Sequence, residues 1–496
     1  LNDSIFGKYA YWNVEGDFLD GGLTRMYKNL FYFMLAPKDQ RDLLLCRRPP
    51  SAAAPRKHHN FEGVTPKQHS LLNEIIQSKD YYLLWGPPGT GKTTIMLKKL
   101  VEHYTIVENK KVLLLSYTNR AVDEICQAVE SISDALTQNY LRIGSRYSTR
   151  EEFREKILSA KLDNISSRKA LLDLLTGTQV YCSTVSSLLG KMELLNIVEF
   201  DVVIVDEASQ LLEPMLLGLL SSFKKFILIG DHKQLPAVVT QSKYFSKEET
   251  PELNEIGLVD RRNSLFERMY LQAMENEWTW AYGILDQQGR MHEDIMGFSA
   301  TNFYEGKLKL LPGVERLTAP LEIKGADQPY EFLHEERLIF INTLADDSLT
   351  QKINPHEAKL AVDLVHQIKK IYTANKLEFS ADSLGIITPF RAQISQITQR
   401  FKEELSYDKD LTIDTVERFQ GGAKDRIIIS LVTNDRNVLN IISSRNESGI
   451  DRKLNVAITR AKEQLIIIGN AKILSNDAVY ASLIEACYFV NFEDEA

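Results

Sequence analysis

Short, almost uninterrupted apolar runs recur along most of this chain, separated by stretches in which apolar residues return every three or four positions. Nine runs stand out: YYLLW at 81, KVLLLSYT at 111, QVYCST at 179, DVVIVDE at 201, KFILIGD at 225, RLIFINT at 337, LGIITPF at 384, RIIISLVT at 426 and QLIIIGN at 464. They lack the in-and-out alternation of a half-solvated strand, so they read as strands buried on both faces. Helical patterns between them predict parallel sheets covered on each side. Nine strands suit two α/β domains better than one sheet, and 496 residues exceed what a single core usually serves.

The pattern changes in three places. Residues 1–60 read as a lead-in, with Arg25, Tyr27, Leu30, Phe31 and Met34 mixing polar and apolar faces, ending in the Pro- and Ala-rich linker PPSAAAPRKHHN at 49–60. The first domain is expected over 61–285, with a charged helical insertion at about 140–178 in which Thr149 and Glu152 form a capping box. The second domain is expected over 286–475, followed by a C-terminal tail at 476–496 that ends in acidic FEDEA.

Composition changes this picture little. Apolar residues at 44% and charged residues at 25% are ordinary for a globular protein. A formal charge of −8 argues against a histone-like polyanion binder but leaves room for a local basic groove. Cys46, Cys126, Cys182 and Cys487 are scattered without metal-type spacing, which fits a reducing, intracellular setting. The longest apolar stretch, LFYFMLA at 30–36, is too short to cross a membrane. The chain starts at Leu1 with neither an initiator Met nor a signal pattern, which leaves a preceding N-terminal domain open.

Chemistry enters at YYLLWGPPGTGKTTIMLKKL, Tyr81 to Leu100. A strand, a glycine-rich loop and a helix follow in the order that a nucleotide-binding phosphate loop requires. Gly86, Gly89 and Gly91 let backbone N–H groups converge on phosphate oxygens, with Thr90 and Thr94 beside them. Lys92 would reach the β and γ phosphates, and the Thr93 hydroxyl would ligate Mg²⁺. Leu97, Leu100, Val101 and Tyr104 form the apolar face of the helix. DVVIVDEASQ then ends a buried strand with two acids: Asp206 to hold Mg²⁺ through water, and Glu207 to orient and deprotonate the attacking water.

Eight segments in order carry a more specific signal: GPPGTGKT at 86, SYTNRAVDEI at 116, VDEASQ at 205, GDHKQLPA at 230, QGRMH at 288, ITPFRAQ at 387, ERFQGG at 417 and NVAITRAK at 455. Together they resemble superfamily 1 helicases, within the branch that holds the nonsense-mediated mRNA decay helicase and the Okazaki-fragment nuclease-helicase. The resemblance implies two RecA-like domains, ATP in the cleft between them and single-stranded nucleic acid lying across both.

Several roles follow from it by position. Gln68 would read the adenine edge, Gln234 would sense the γ-phosphate, and Arg290 and Arg460 would reach that phosphate from the second domain. Gln420 and Gly421 would complete the nucleotide site. Thr118, Asn119, Ser183, Thr184, Thr388, Pro389, Phe390, Arg391 and Thr415 would hold the nucleic-acid backbone. The hydroxyls among them also suit helix caps, and Phe390 suits burial under the strand end as well as stacking on a base. Two positions depart from the family. Gly289 stands where a tyrosine usually stacks on adenine, and Ala423 stands where an acid is common.

The resulting expectation is an ATP-dependent helicase or translocase that moves 5′ to 3′ along a single strand and opens duplex junctions, with DNA favoured over RNA and no membrane partner. Two rival readings stay open: an ATP-gated module that binds nucleic acid or a partner without unwinding, and the motor portion of a larger nuclease-helicase. In the second case the nuclease would lie outside this chain.

Overall fold

The computed structural model describes residues 19–52, 58–163, 165–239, 241, 243–344, 352–404, 411–445 and 449–491. Each of the nine apolar runs forms a strand in one of two parallel sheets. The first sheet holds β1 (Tyr81–Trp85), β2 (Val112–Ser116), β3 (Tyr140–Ile143), β4 (Val180–Thr184), β5 (Val202–Val205), β6 (Phe226–Gly230) and β7 (Tyr282–Ile284), in the order β3-β4-β2-β5-β6-β1-β7. Between the sheets, β8 (Gln287–Gln288) and β9 (Lys309–Leu310) form a small parallel pair. The second sheet holds β10 (Leu338–Asn342), β11 (Leu384–Ile387), β12 (Thr412–Asp414), β13 (Lys424–Ser430), β14 (Ala461–Gly469) and β15 (Tyr488–Asn491), in the order β12-β11-β13-β14-β10-β15. This is the α/β architecture of two RecA-like domains.

Continuous apolar sequence and double-sided burial explain each other here. Along β1, Tyr81, Leu83 and Trp85 enter one core while Tyr82 and Leu84 enter another, because successive side chains point to opposite faces. The first of these cores also takes in Phe340, Ile427 and Leu465 of the second sheet. The two domains therefore share buried apolar surface. Because the strands of each sheet are parallel, their carboxyl ends lie along one edge, which is where open α/β sheets place their ligand crevices.

The structure corrects the reading of the chain in three regions. Tyr140–Ile143, taken as the start of a helical insertion, is an edge strand of the first sheet, and only short helical pieces fill the stretch up to Gly177. Its Arg142 hid the strand: the side chain is fully buried, its charge matched by Asp123 at 2.8 Å. Thr149 makes no cap, since its hydroxyl donates to the Ser145 carbonyl at 2.8 Å and the turn at Glu151 has no side-chain cap.

The described part of the lead-in, from Leu19, is docked onto the first domain. The helix Leu19–Leu35 lies against the helix Glu213–Leu220, with Asn29 Nδ2 donating to the Pro214 carbonyl at 2.8 Å. Linker residues 49–52 are held by Asp80, which accepts from the Ser51 N–H at 2.7 Å, and by Trp280, whose Nε1 donates to the Pro50 carbonyl at 3.1 Å. Arg56 and Lys57 of that linker lie outside the described residues. The supposed tail at 476–496 instead forms the helix Ala478–Ala486 and then β15, which pairs with β10. The short apolar run Cys487–Val490 marks this strand in the sequence, although three of the four β15 residues are exposed; residues 492–496 lie outside the described residues.

A buried ion pair fastens the lead-in. Arg268 is 2% exposed, reaches Glu213 Oε2 at 3.1 Å and donates to the Leu44 carbonyl at 2.8 Å. Removing one partner strands the other charge in an apolar surround. Glu213→Ala is therefore expected to destabilise the first domain by about 3–5 kcal/mol in denaturant unfolding. A change below about 1 kcal/mol would mean that water reaches Arg268.

Candidate active site and nucleic-acid face

The loop after β1 begins where the Gly86 N–H donates to the Gly230 carbonyl of β6, at 3.0 Å. Gly89 and Gly91 take positive φ values of 75° and 82°, and a Cβ on Gly89 would lie 2.5 Å from Cβ of Arg290. Glycine at 89 thus lets the second domain approach the loop backbone directly, and the Gly289 N–H closes the contact by donating to the Gly89 carbonyl at 3.0 Å. Lys92 Nζ donates to the Gly86 carbonyl at 2.7 Å, folded over its own loop. The helix that follows starts and ends in π-wound turns, Lys92–Leu97 and His103–Val107, and buries Leu97, Leu100, Val101 and Tyr104 as its apolar face requires.

At the end of β5, Asp206 Oδ2 accepts from Thr93 Oγ1 at 2.6 Å. Burial, then the neighbouring Glu207 charge, pushes the Asp206 carboxyl up to about 7. The hydroxyl and carboxylate form an all-oxygen donor set that matches a hard cation such as Mg²⁺. Among the described residues no group of three or more His, Cys, Asp or Glu side chains gathers, so further ligands for such an ion would come from phosphate and water. Glu207 adopts a left-handed backbone with φ 54°, and its carboxylate accepts from Gln210 Nε2 at 3.1 Å. A non-glycine residue held there stores strain that aims the side chain away from the strand direction.

One cavity of about 460 Å³ brings these groups together. The first domain lines it with Gln68, the loop Gly89–Thr94, Glu207 and Gln234, and the second with Arg290, Gly421 and Arg460. Five cationic side chains (Lys92, Arg290, Arg316, Arg460 and Lys462) face two carboxylates (Glu124 and Glu207), so the cavity is built for a polyanion. The cations press on one another. Burial and then the Arg290 charge lower Arg460 to about 9, and burial lowers Arg290 as well. Arg460 is held by the Val456 and Gly422 carbonyls at 3.1 and 3.0 Å and reaches across the cleft to Gln234 Oε1 at 3.2 Å.

Gln68 lies at the cavity wall as expected, whereas Gln420 sits apart from it. Gln68 is 4% exposed and already engaged: its side chain accepts from the Thr65 N–H at 3.0 Å in a helix capping box and donates to the Thr90 carbonyl at 3.2 Å. Gln420 does not line the main cavity; it faces a neighbouring one of about 190 Å³ together with Thr118, Asp206 and Gly421. At the departure noted in the sequence, Gly289 leaves its space to Leu311, whose Cδ2 lies 3.1 Å from where a Cβ would stand.

The nucleic-acid positions divide by burial. Thr118 is exposed at the mouth of a cleft of about 600 Å³ between the domains, although its hydroxyl also caps the helix Asn119–Glu130 by accepting from the Ala121 N–H at 3.1 Å. Asn119 begins that helix, Arg391 is exposed at the start of the helix Arg391–Glu403, and Pro389 and Thr415 are half-buried beside it. Ser183 is sealed in the sheet, donating to the Ile143 and Thr184 carbonyls, and Thr184 caps the helix Val185–Leu189. Thr388 and Phe390 are buried, with Phe390 in the shared core, so burial rather than base stacking accounts for the ring. Strand-end hydroxyls look alike in sequence whether they cap, pack or face a cleft.

Sequence reasoning missed several residues here. Gln288 is fully buried and folds the QGRMH turn by accepting from the Arg290 and Met291 N–H groups at 2.7 and 2.8 Å. Arg316 grips the same turn, donating to the Gly289 and Arg290 carbonyls. Tyr117, Asn263 and Lys453 line the interdomain cleft. Tyr117 lies inside a recognised motif and Lys453 beside one, which was the one available signal; Arg316 and Asn263 carry none.

Comparison with known proteins agrees with this geometry. An AAA-domain model matches residues 261–472, and a second AAA-domain model matches 63–173 and 156–242. The DNA replication ATP-dependent helicase/nuclease of Xenopus laevis is 31% identical over 82% of this chain and 37% of its own length. An uncharacterized ATP-dependent helicase of Methanocaldococcus jannaschii is 28% identical over 86% of this chain and 70% of its own. A regulator of nonsense transcripts 1 homolog of Neurospora crassa is 28% identical over 90% of this chain and 40% of its own. The chain thus spans well under half the length of two of these three relatives. With two RecA-like sheets, a phosphate loop facing two arginines across one cleft, and relatives aligned along four fifths of its length or more, the chain belongs to the superfamily 1 helicases.

Proposed function

We propose that this chain is an ATP-driven motor that travels 5′ to 3′ along single-stranded nucleic acid and opens duplex ahead of it. The observation that carries the reading is the divided cavity, in which Lys92 and Glu207 come from one domain and Arg290 and Arg460 from the other. Phosphoryl transfer spreads negative charge over the equatorial oxygens, and arginines can stabilise that charge only while the cleft is closed. Turnover thereby becomes tied to relative domain movement, and the cleft lined by Thr118 and Lys453 gives that movement something to act on.

In this scheme each side chain has one task. Lys92 leaves the Gly86 carbonyl for the β and γ phosphates; Glu207 orients a water and takes its proton. Gln234 reports the occupied γ position through its bond to Arg460. Thr93 and Asp206 would hold Mg²⁺, which when bound neutralises phosphate charge. Leu311 offers an aliphatic surface to the base where the family presents an aromatic ring.

DNA is the favoured track. Relatives aligned with the chain include proteins named for DNA replication, and the polar groups facing the cleft suit backbone contacts without reading sequence. Four unpaired cysteines, three of them buried, suit a reducing compartment inside the cell. Among the described residues no helix is long and apolar enough to cross a membrane.

The deciding experiment offers DNA and RNA duplexes with either a 5′ or a 3′ single-stranded overhang, with ATP. The expected result is opening of the DNA duplex with the 5′ overhang, together with severalfold stimulation of ATP hydrolysis by the single strand. Opening only from a 3′ overhang would reverse the polarity. Stimulated hydrolysis with no opening of any duplex would mark an ATP-gated clamp instead.

A further inference from the structure

Between the two arms of the nucleotide cleft lies a buried polar ring that none of the eight motifs explains as a whole. Asp231, at the end of β6, is fully buried and accepts four hydrogen bonds. Trp85 Nε1 and the Lys233 N–H donate to its Oδ1 at 2.9 and 3.0 Å. Gln234 Nε2 and the hydroxyl of Tyr304 donate to its Oδ2 at 2.7 and 2.8 Å. Tyr304, just past the helix Glu293–Phe303, is 1% exposed, and its hydroxyl in turn accepts from Asn455 Nδ2 at 2.9 Å. Asn455 lies in the helix Arg452–Ile458, and Arg460 follows two residues past the end of that helix.

The ring closes through that arginine. Arg460 Nη2 donates to Gln234 Oε1 at 3.2 Å, and Gln234 is bound to the same Asp231 carboxylate that holds Tyr304. Within this ring the domains are joined by Arg460 with Gln234 and by Tyr304 with Asp231, and Asn455 Nδ2 also donates directly to the Lys233 carbonyl at 2.8 Å. Only a group that donates and accepts at one atom can bridge a carboxylate, which solely accepts, and an amide NH₂, which solely donates. A hydroxyl at the end of a rigid ring meets that need, whereas phenylalanine fills the same space without meeting it. A hydrogen-bonded ring in a dry interior resists partial rearrangement, because a broken member leaves buried polar atoms unpaired.

We propose that Tyr304 is a positioning residue for ATP turnover, whose hydroxyl locks Asp231 and Asn455 together and so sets Gln234 and Arg460 in register across the cleft. Tyr304 touches no nucleotide; it acts through the two residues that would. The inference rests on the ATP-hydrolysing reading of the cleft and adds to it the element that ties closure to alignment.

Tyr304→Phe in the full chain tests it, with hydrolysis measured against ATP concentration in the presence of oligo(dT). The expected result is a fall in kcat of about 10-fold, the value of one hydrogen bond to a charged group, with KM for ATP changed by less than about twofold. The same substitution placed in a Gln234→Ala background is expected to cost nothing further, because both act through one ring. A wild-type kcat for Tyr304→Phe would overturn the proposal, and so would a full multiplicative loss in the double variant. Should Tyr304→Phe fail to fold, Asn455→Leu removes the other end of the bridge and must give the same kcat-selective loss; normal kcat there would overturn the proposal equally. Absence of any hydrolysis by the unaltered protein would instead refute the ATPase reading itself.

Discussion

Arg460→Ala is expected to lower the ATP turnover number by about three orders of magnitude while nucleotide affinity changes far less. The residue stands 2% exposed in the second domain, directed into a cavity whose phosphate loop belongs to the first. Its charge is costly where it sits: burial and the nearby Arg290 lower it to about 9, so an arriving polyphosphate relieves a repulsion already built into the site. That relief grows as charge moves onto the equatorial oxygens, which makes the contribution largest in the transition state. Stopped-flow binding of a fluorescent ATP analogue beside steady-state hydrolysis separates the two effects. Equal loss of binding and turnover would show that Arg460 merely joins Val456, Gly422 and Gln234 structurally.

Glu207→Gln is expected to reduce hydrolysis by about 10²- to 10⁴-fold, the usual worth of a positioned general base, while ATP and single-strand binding persist. Glutamine keeps the size of the side chain and can still accept from Gln210, so the left-handed backbone at φ 54° need not move. What is lost is the ability to take a proton. Unchanged hydrolysis would assign the base elsewhere; Glu124, which also lines the cavity and whose carboxyl burial pushes upward, is the next group to examine. Loss of ATP binding along with turnover would mean that Glu207 shapes the site rather than serving the chemistry.

The parts of this molecule that were legible beforehand share a physical trait: their signal is local. A strand buried on both faces must be apolar at nearly every position, so the nine runs from Tyr81 to Asn470 announced themselves. A loop that surrounds phosphate needs glycine where the backbone turns through positive φ, so Gly89 and Gly91 were visible by type and spacing. Elements whose signal is not local were misread. Tyr140–Ile143 became a strand because Asp123, on a different element, neutralises the buried Arg142. Tyr488–Asn491, marked only by a short apolar run, became one because β10 offered an open edge at which even exposed residues can pair.

The same division runs through the site. Sequence by itself determined the chemical inventory, since Lys92, Asp206, Glu207, Gln234, Arg290 and Arg460 are recognisable by neighbours within a few positions along the chain. Only the tertiary structure decided which of them share a space, and it separated residues that look equivalent in one dimension. Thr118 faces the interdomain cleft while Ser183 and Thr388 are sealed within the sheets, although all three stand at the carboxyl end of a strand. It also brought in Arg316, Leu311 and Tyr304, whose surroundings in the chain say nothing of their place. Burial and hydrogen-bond partnership depend on what arrives from the other domain, up to 298 residues away in the chain, and no local pattern of side chains encodes that arrival.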